Sequence, residues 1–201
     1  MRPYLFAFVL LLGGCAASDS LPVADTSAIV HKMPIADTEI AIQALRELSA
    51  DSYEGRAAMT PGNAAAQAWI SSQVAEMNGG IHPREHDFTR TVMRRIQQPE
   101  DVSGTNLITT LPGRSPNGPI LEVTAHYDHI GMTENGAIFN GADDNASGVG
   151  ALFAILKSFL EQPPEHEVRI IWLDAEEGGL NGAREYVRTE IDDRPRLNLN
   201  L

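Results

Sequence analysis

The sequence predicts an α/β fold, in which helices pack on a sheet whose strands end along one shared edge. Two observations support this prediction. In the second half of the chain, apolar extended runs alternate with a helical pattern, the order expected when a crossover helix joins neighbouring strands. These runs also end in polar residues, and open α/β sheets place their sites at the carboxyl ends of strands. The 201 residues, 43% apolar and 21% charged, are enough for one folded domain.

The first 15 residues are typical of a lipoprotein-type signal peptide. Arg2 precedes an apolar run, Tyr4 to Leu12, that is too short for a transmembrane helix. The run leads into Leu-Gly-Gly-Cys, which resembles a bacterial lipobox, where the cysteine is lipidated and becomes the mature N-terminus. Cys15 is the only cysteine of the chain and cannot form an internal disulfide, so we expect it to be lipidated. The alternative is an ordinary signal peptide with a chance cysteine.

A lipid on Cys15 predicts an exported protein, anchored to a membrane at the periplasmic face or the outer membrane of a bacterium. Residues 16–36 are rich in Ala, Ser, Asp and Pro without apolar periodicity, and they predict a flexible tether. The folded domain is expected over residues 37–201. The net charge of −12 disfavours nucleic acid as a partner, because phosphate binding requires clustered Lys and Arg.

Two amphipathic helices are predicted at the start of the folded domain. The first begins at Asp37 and has four apolar residues on one face: Ile40, Ala44, Leu45 and Leu48. The second extends from Asn63 to Met77, and its apolar face contains Ala66, Trp69, Ile70 and Val74. The segment from Thr60 to Asn63 has the Pro, Gly and Asn of a turn and leads into this second helix.

Three apolar segments predict strands, at residues 105–113, 119–131 and 167–179. A helix is predicted between the last two, from about Ala146 to Leu160. Residues 87–96 are predicted to form a strand at the edge of the sheet. Three large apolar residues are expected in the core: Phe153, Leu156 and Trp172.

Polar clusters follow these elements at three places: His126 with Asp128, Asp143 with Asp144, and Glu176 with Glu177. Because strands that run in one direction end at the same edge of a sheet, each cluster can face one crevice. A histidine, an aspartate and a glutamate provide the mixed nitrogen and oxygen ligands that suit zinc or a similar divalent ion, whereas calcium prefers oxygen alone. A carboxylate can also bridge two metal ions about 3.5 to 4 Å apart, and such pairs activate water for hydrolysis.

The motifs that contain these clusters resemble, in order, the three ligand motifs of the M28-type zinc metallopeptidases, a family of co-catalytic aminopeptidases. They are AHYDH at residues 125–129, GADDNASG at 141–148 and DAEEGGLNGA at 174–183. SYEGR at 52–56 and TPGN at 60–63 are also similar to the N-terminal segment of that family. The resemblance implies a three-layer α/β/α sandwich with a mixed, mostly parallel sheet, two zinc ions and a peptide substrate.

The resemblance also implies a role for five residues. His126 would bind one zinc ion, Glu177 the other, and Asp144 would bridge both. Asp128 would be the acid that orients the imidazole of His126 through its other nitrogen. Glu176 would be the general base, which takes a proton from the attacking water and passes it to the leaving amine.

Other polar residues of these motifs are interpreted as structural. Asp143 and Asn145 are expected to cap the N-terminus of the helix that follows them. The remaining histidines are interpreted as surface or structural residues: His31, His82, His86, His129 and His166. This interpretation includes His129, although it directly follows Asp128.

The family pattern has five metal ligands, and this sequence has candidates for three. Asn200 and Leu201 stand just before the position where the family has its fourth ligand, an aspartate of a strand motif resembling Asn-Leu-Asp-Met. The fifth ligand, a histidine near the end of the domain, has no counterpart. We therefore expect residues 37–201 to be the N-terminal part of the peptidase domain, and the fold to be incomplete.

The predicted function is that of an aminopeptidase, which hydrolyses N-terminal peptide bonds with a metal-activated water. Relatives of this fold include carboxypeptidases and glutaminyl cyclases, so these activities are alternatives. A further alternative is an inactive peptidase-like fragment or binding module. The oligomeric state, the side-chain preference and the native metal are left open.

Overall fold

A computed structural model describes residues 37–93, 99–115 and 117–201. The predicted signal peptide, Cys15 and the tether lie outside the described residues, as does the end of the segment predicted as an edge strand. No helix in the described ranges is long and apolar enough to cross a membrane.

The two N-terminal helices form as the apolar periodicity predicts. Helix α1 covers Thr38–Leu48, and the carboxylate of Asp37 caps it by accepting the amides of Glu39 and Ile40 at 3.0 and 3.4 Å. Helix α2 covers Pro61–Met77 and begins two residues before the predicted start. The predicted turn is instead the first turn of this helix, because proline is well tolerated at the first helical position.

Five strands form one sheet: β1 (Arg84–Met93), β2 (Pro99–Leu111), β3 (Ile120–His126), β4 (Val168–Leu173) and β5 (Arg196–Asn200). Their order is β1-β2-β4-β3-β5. The β1–β2 and β2–β4 pairs are antiparallel, whereas β3–β4 and β3–β5 are parallel. The sheet is therefore mixed, as predicted, although parallel pairs do not predominate in the described residues. The reason is that the successive strands β1 and β2 add to one side of β4 in antiparallel fashion.

Helices cover both faces of this sheet. On one face, α1, α2 and helix α3 (Ser147–Glu161) pack against Val123, Ile170 and Trp172. On the other face, Tyr186 of helix α4 (Asn181–Glu190) packs against Ile108, Ile171 and Leu173. Successive residues of β4 alternate between the two clusters, as the pleat of a strand requires. This arrangement confirms the three-layer α/β/α sandwich.

The predicted core residues lie at the centre of the larger cluster. Trp172, Phe153 and Leu156 have no exposed surface, and the rings of Trp172 and Phe153 lie 5.4 Å apart between centroids. Because β3 and β4 are parallel neighbours joined by α3, their carboxyl ends are level with each other, with His126 opposite Leu173. The polar residues that follow the two strands are thus placed at one edge of the sheet.

Candidate metal centre

Asp144 lies between two imidazoles at this edge. Its Oδ1 is 3.1 Å from Nε2 of His126, and its Oδ2 is 4.0 Å from Nδ1 of His129. Both imidazole side chains are 12% exposed, whereas the carboxylate of Asp144 is 62% exposed and accessible from solvent. The two oxygens of Asp144 therefore face different imidazoles: Oδ1 faces His126 and Oδ2 faces His129.

The paired glutamates lie in the turn that follows β4, where the left-handed backbone of Ala175 (φ 52°) redirects the chain. Oε2 of Glu176 is 4.0 Å from Nε2 of His126. Oε1 of Glu177 is 2.6 Å from Nδ1 of His129. Neighbouring residues of a strand point to opposite faces, but in this turn both carboxylates face the histidines, as the loop position predicted.

Asp128 is fully buried and ties the two strand ends together. Its Oδ1 accepts the amide of Glu176 at 2.9 Å, and its Oδ2 accepts the amide of Glu177 at 3.2 Å. Nδ1 of His126 lies 3.1 Å from the backbone oxygen of Asp128 but 3.6 Å from its carboxylate. The role of the Asp128 carboxylate in orienting the imidazole stays a prediction: the carboxylate faces Nδ1 of His126, the backbone carbonyl is the nearer acceptor, and the carboxylate also holds the turn that contains both glutamates.

Arg56 is a buried cation that the sequence analysis did not single out, although it lies in the SYEGR motif. Its guanidinium donates to four backbone carbonyl groups, at 2.9 Å to Tyr127, 2.7 Å to Asn140, 2.9 Å to Gly141, and also to Leu48. Burial lowers the pKa of Arg56, and the charges of Asp128 and Asp144 oppose that shift. One side chain thus fixes the backbone of the first two ligand motifs.

Gly141 allows Arg56 and Asp144 to approach each other. Its φ of 59° is in the left-handed region. A Cβ at this position would lie 2.4 Å from the backbone oxygen of Asp144 and 2.6 Å from Nη2 of Arg56. A side chain is therefore excluded here by both conformation and space.

Asp143 and Asn145 were both predicted to cap α3, and the side chain of Asn145 does so. Oδ1 of Asn145 accepts the amide of Gly148 at 3.0 Å, near the start of α3. Asp143 does not cap the helix with its carboxylate; its backbone carbonyl accepts the hydroxyl of Ser147 at 2.8 Å. That part of the prediction was wrong because Asp144 and Asn145 have a non-helical backbone and α3 begins only at Ser147, so Asp143 lies too far before the helix to cap it.

The electrostatics of the site favour a proton acceptor at Glu176. Burial raises the pKa of Glu176, and the charges of Asp128, Glu177 and Asp144 add to this effect, against an opposing contribution from His126. Burial lowers the pKa of His126, but the adjacent Asp128 and the charge of Glu176 outweigh it, so the net shift is upward.

In the part of the chain that the structure describes, the four acidic residues of the site form their ion pairs with imidazoles. Within the described ranges, the ion pairs of Asp128, Asp144, Glu176 and Glu177 are with His126 or His129, and none is with Lys or Arg. Like charges held close together are stabilised by a bound cation. The donor set of imidazole nitrogens and carboxylate oxygens fits zinc or a similar divalent ion.

The histidine predictions have a mixed outcome. His82 is exposed and lies 3.0 Å from the hydroxyl of Ser71, and His86 is buried against Asn106, so both are surface or structural residues as expected. His166 is exposed, and His31 lies outside the described residues. His129 differs, because Asp144, Glu177 and His129 form a group whose ligand atoms all lie within 4.8 Å of one another. Its position directly after the His-x-Asp motif was the signal for this proximity.

Imidazoles and carboxylates gathered at the strand ends of an α/β sandwich are the arrangement of a metal-dependent hydrolase. Residues 106–201 match the model of peptidase family M28. The three ligand motifs, at residues 125–129, 141–148 and 174–183, all lie within this matched segment, which is therefore similar to peptidase family M28.

Individual proteins resemble the chain over parts of their length. Aminopeptidase YwaD of Bacillus subtilis is 37% identical over 86 residues, which are 41% of this chain and 17% of that enzyme. A leucine aminopeptidase precursor from Bacteroides thetaiotaomicron has the same fold, with a TM-score of 0.65 at 18% identity, over 84% of this chain and 62% of that one. A glutaminyl cyclase from the same organism, bound to N-acetylhistamine, matches with the same TM-score, identity and coverage. The chain thus spans less than two thirds of the relatives it matches.

Proposed function

We propose that this protein is a zinc-dependent exopeptidase of the aminopeptidase type, which hydrolyses the N-terminal peptide bond of peptide substrates. The observation that carries the proposal is the position of Asp144, whose two oxygens face the imidazoles of His126 and His129. A carboxylate placed in this way is suited to bridge a pair of metal ions.

The proposed ligands are His126 for one ion, Glu177 for the other and Asp144 for both. When bound, the two ions polarise the scissile carbonyl and make a coordinated water a stronger acid. Asp128 is a positioning residue in this proposal, because its buried carboxylate holds the amides of Glu176 and Glu177. It keeps the glutamates facing the substrate side of the site.

Glu176 is the proposed general base. Burial raises the pKa of Glu176, which makes its carboxylate a stronger proton acceptor. It accepts the proton of the water that attacks the carbonyl carbon and donates that proton to the departing amine. The amine leaves as the neutral product, and Glu176 returns to its ionised form.

A lipid anchor on Cys15 belongs to the same proposal. The segment of residues 1–15 would be the signal peptide that ends at the lipidated cysteine, and residues 16–36 the tether to the enzyme domain. The apolar run before Leu-Gly-Gly-Cys supports this division. The lipid anchor would hold the active site at a membrane surface, where exported peptides are accessible.

The test is Glu176→Gln in the intact protein, with zinc content and hydrolysis of aminoacyl p-nitroanilides measured together. We expect turnover to fall by about 10² to 10⁴-fold, because an amide cannot accept the proton. Zinc content should remain unchanged, because Glu176 is not a proposed ligand. Asp144→Ala should instead lose both metal ions. Glu76→Gln, at an exposed position of α2, is the matched control and should behave as the wild type.

Two outcomes would contradict the proposal. Loss of zinc in proportion to activity in Glu176→Gln would show that Glu176 is a ligand and not the base. Cyclisation of an N-terminal glutaminyl peptide, without hydrolysis of any aminoacyl substrate, would favour the glutaminyl cyclase alternative, since that activity occurs on the same fold.

A further inference from the structure

A groove with three arginines lies between β1 and α4. It has a volume of about 490 Å³ and is lined by one residue of β1, Arg90, and by residues of α4 and its N-cap. The α4 residues are Ala183, Arg184, Val187 and Arg188, and the N-cap is Leu180. In the described chain, the charged residues that line this groove are therefore all arginines.

The groove adjoins the cavity of the candidate metal centre. Leu180, Ala183 and Val187 line the groove, and they also line the larger cavity, of about 910 Å³. Asp144 and Glu176 line that larger cavity as well. A peptide bound at the metal centre can therefore extend along Leu180 and Val187 into the groove.

We propose that the groove binds a carboxylate of the peptide substrate, in the part of the peptide that leaves as the amine, through Arg90, Arg184 and Arg188. The carboxylate is the side chain of an acidic residue or the C-terminal group of a short peptide. The inference rests on the proposed exopeptidase function and deepens it, because it names a class of substrate: peptides with a carboxylate close to their N-terminus. An aminopeptidase has a single residue before the scissile bond, so the remainder of its substrate extends away on the leaving side.

The groove has an excess of positive charge. Arg90 and Arg188 share one carboxylate, because Nη1 of Arg90 lies 3.2 Å and Nε of Arg188 lies 3.0 Å from Oε2 of Glu185. Arg184 forms no ion pair within the described ranges. Three guanidinium groups are thus balanced by one carboxylate, in a protein whose net charge is −12. An anionic group is attracted to this groove although the protein as a whole is acidic.

The arginines of the groove have hydrogen-bond donors that the described chain does not use. Nε of Arg90 is buried and has no partner among the described residues. Arg184 is exposed, and its Nε donates to the backbone oxygen of Gly179 at 3.0 Å. In the described part of the chain, both Nη groups of Arg184 remain available. A guanidinium binds a carboxylate through two parallel hydrogen bonds, for which such a pair of donors is suited.

The position of Arg184 favours the neighbouring turn and not its own helix. Arg184 is the fourth residue of α4, near the N-terminus, where the helix dipole disfavours a cation. Its contact with Gly179 ties it to the turn that begins at Glu176, whose carbonyl accepts the amides of Gly179 and Leu180 at 2.8 and 2.7 Å. The guanidinium is thus held beside the turn that contains the proposed general base.

The groove also has apolar walls. The side chains of Leu180 and Val187 are exposed, at 44% and 61%. Exposed apolar side chains next to guanidinium groups suit a ligand with an apolar stem and a charged end. A glutamate side chain or the last residue of a short peptide has this form.

The test compares peptides that differ in one carboxylate. The first pair is Leu-Ala-Glu amide and Leu-Ala-Gln amide, and the second is Leu-Ala-Ala as the free acid and as the amide. Binding is measured by calorimetry with the intact, zinc-loaded Glu176→Gln protein, in which the peptides are not turned over. Hydrolysis of the same peptides is measured separately with the wild-type protein.

We expect the acidic member of at least one pair to bind about 10-fold more tightly, the factor that one hydrogen bond to a charged group provides. A preference in the first pair alone assigns the carboxylate to a side chain, and one in the second pair alone assigns it to the C-terminus. The preference should decrease as salt is added, because the charges are exposed to solvent.

Arg184→Gln, added to this protein, should reduce the preference by at least about 3-fold, and Arg184→Lys should retain part of it because the charge remains. Arg46→Gln is the matched control, since Arg46 is an exposed arginine of α1 without an ion pair among the described residues. It should leave the preference unchanged.

Equal binding of both members of each pair would overturn the inference, as would a preference that Arg184→Gln leaves intact. Hydrolysis of all four peptides at equal rates, with equal binding, would refute the carboxylate site and leave the proposed function standing. A preference in binding that depends on Arg184, without hydrolysis of any peptide by the wild type, would contradict the proposed function and leave the carboxylate site standing.

Discussion

The carboxylate of Asp128 accepts the backbone amide of Glu176 at 2.9 Å, across 48 residues of sequence. Its second oxygen accepts the next amide, that of Glu177, at 3.2 Å. A single buried side chain therefore sets the distance between the loop after β3 and the turn after β4. His129 adds a second connection between the same two segments, 2.6 Å from Glu177.

Asp128→Asn should weaken this connection without removing the side chain. The amide keeps one acceptor oxygen but turns a donor toward a backbone N–H, so a buried donor is left unpaired. We expect a loss of about 1 to 3 kcal/mol in the free energy of unfolding. Zinc affinity should fall by about 10 to 100-fold, because the glutamate turn is no longer held.

Urea unfolding and chelator competition are the measurements for this variant. Asp87→Asn is the control, because Asp87 is an exposed residue that accepts the hydroxyl of Thr105 and lies away from the metal ligands proposed here. Wild-type zinc affinity in Asp128→Asn would show that the turn is held by other contacts.

Arg56→Met should be among the most destabilising single substitutions in the described residues. Arg56 is 1% exposed, and its removal leaves the carbonyl groups of Leu48, Tyr127, Asn140 and Gly141 without this donor. Each unsatisfied buried group costs about 1 to 3 kcal/mol, so we expect a total loss of about 3 kcal/mol or more.

Circular dichroism during urea titration gives this free energy directly. Arg114→Met is the matched control and should change it little, because Arg114 is 68% exposed and pairs with Glu165 at the surface. The free energy of unfolding of Arg56→Lys should lie between those of Arg56→Met and Arg114→Met, since an ammonium group cannot reach all four carbonyls. Equal stability of Arg56→Met and Arg114→Met would disprove the role assigned to Arg56.

Glu185 should make stability depend on pH in acid. Hydrogen bonds and charge from Arg188, with a further contribution from Arg90, lower the pKa of Glu185 from 4.5 to about 2. Because the pKa is lower in the folded than in the unfolded protein, the ionised form stabilises the fold above pH 4.5. This stabilisation is lost as the pH falls from 4.5 toward 2.

Thermal unfolding of Glu185→Gln at several pH values checks this expectation. The variant should have a lower Tm than the wild type at pH 7, and the difference should shrink progressively below pH 4.5. Glu76→Gln, at an exposed position with no ion pair among the described residues, should show a small difference that does not change with pH. A Tm difference for Glu185→Gln that is constant from pH 7 to pH 3 would contradict the pKa assignment.

Cys15→Ser tests the lipid anchor, which lies outside the described residues. Cells that express the wild type and are grown with a labelled fatty acid should label the protein, whereas the variant should not be labelled, because only a thiol at this position can be lipidated. The variant should also move from the membrane fraction to the soluble fraction. Equal labelling of the two proteins would refute the lipoprotein interpretation.

Local patterns in the sequence were enough to predict most of the helices and strands that surround the site. Helices α1 and α2 have an apolar face at helical spacing, and β3 and β4 are short apolar runs, so the signal for each lies within a few neighbouring residues. Strand β2 starts at Pro99, earlier than predicted, because its first half is polar and is stabilised by pairing with β1. Helix α4 was not predicted, because it is strongly polar overall and Tyr186 is its one large buried aromatic residue.

The sequence by itself determined the order of the elements from α1 to β4 and the chemistry of the ligand motifs, because both depend on residue type and on spacing within a short segment. Only the tertiary structure decided which of these residues meet. His129 was interpreted as a surface or structural residue from its sequence context, and the structure shows that it contacts Glu177, 48 residues away. Arg56 is linked to Gly141 across 85 residues. Contacts of this range arise from the parallel pairing of β3 with β4 and the packing of helices on the sheet, and a local pattern does not specify which residue lies at the other end of the contact.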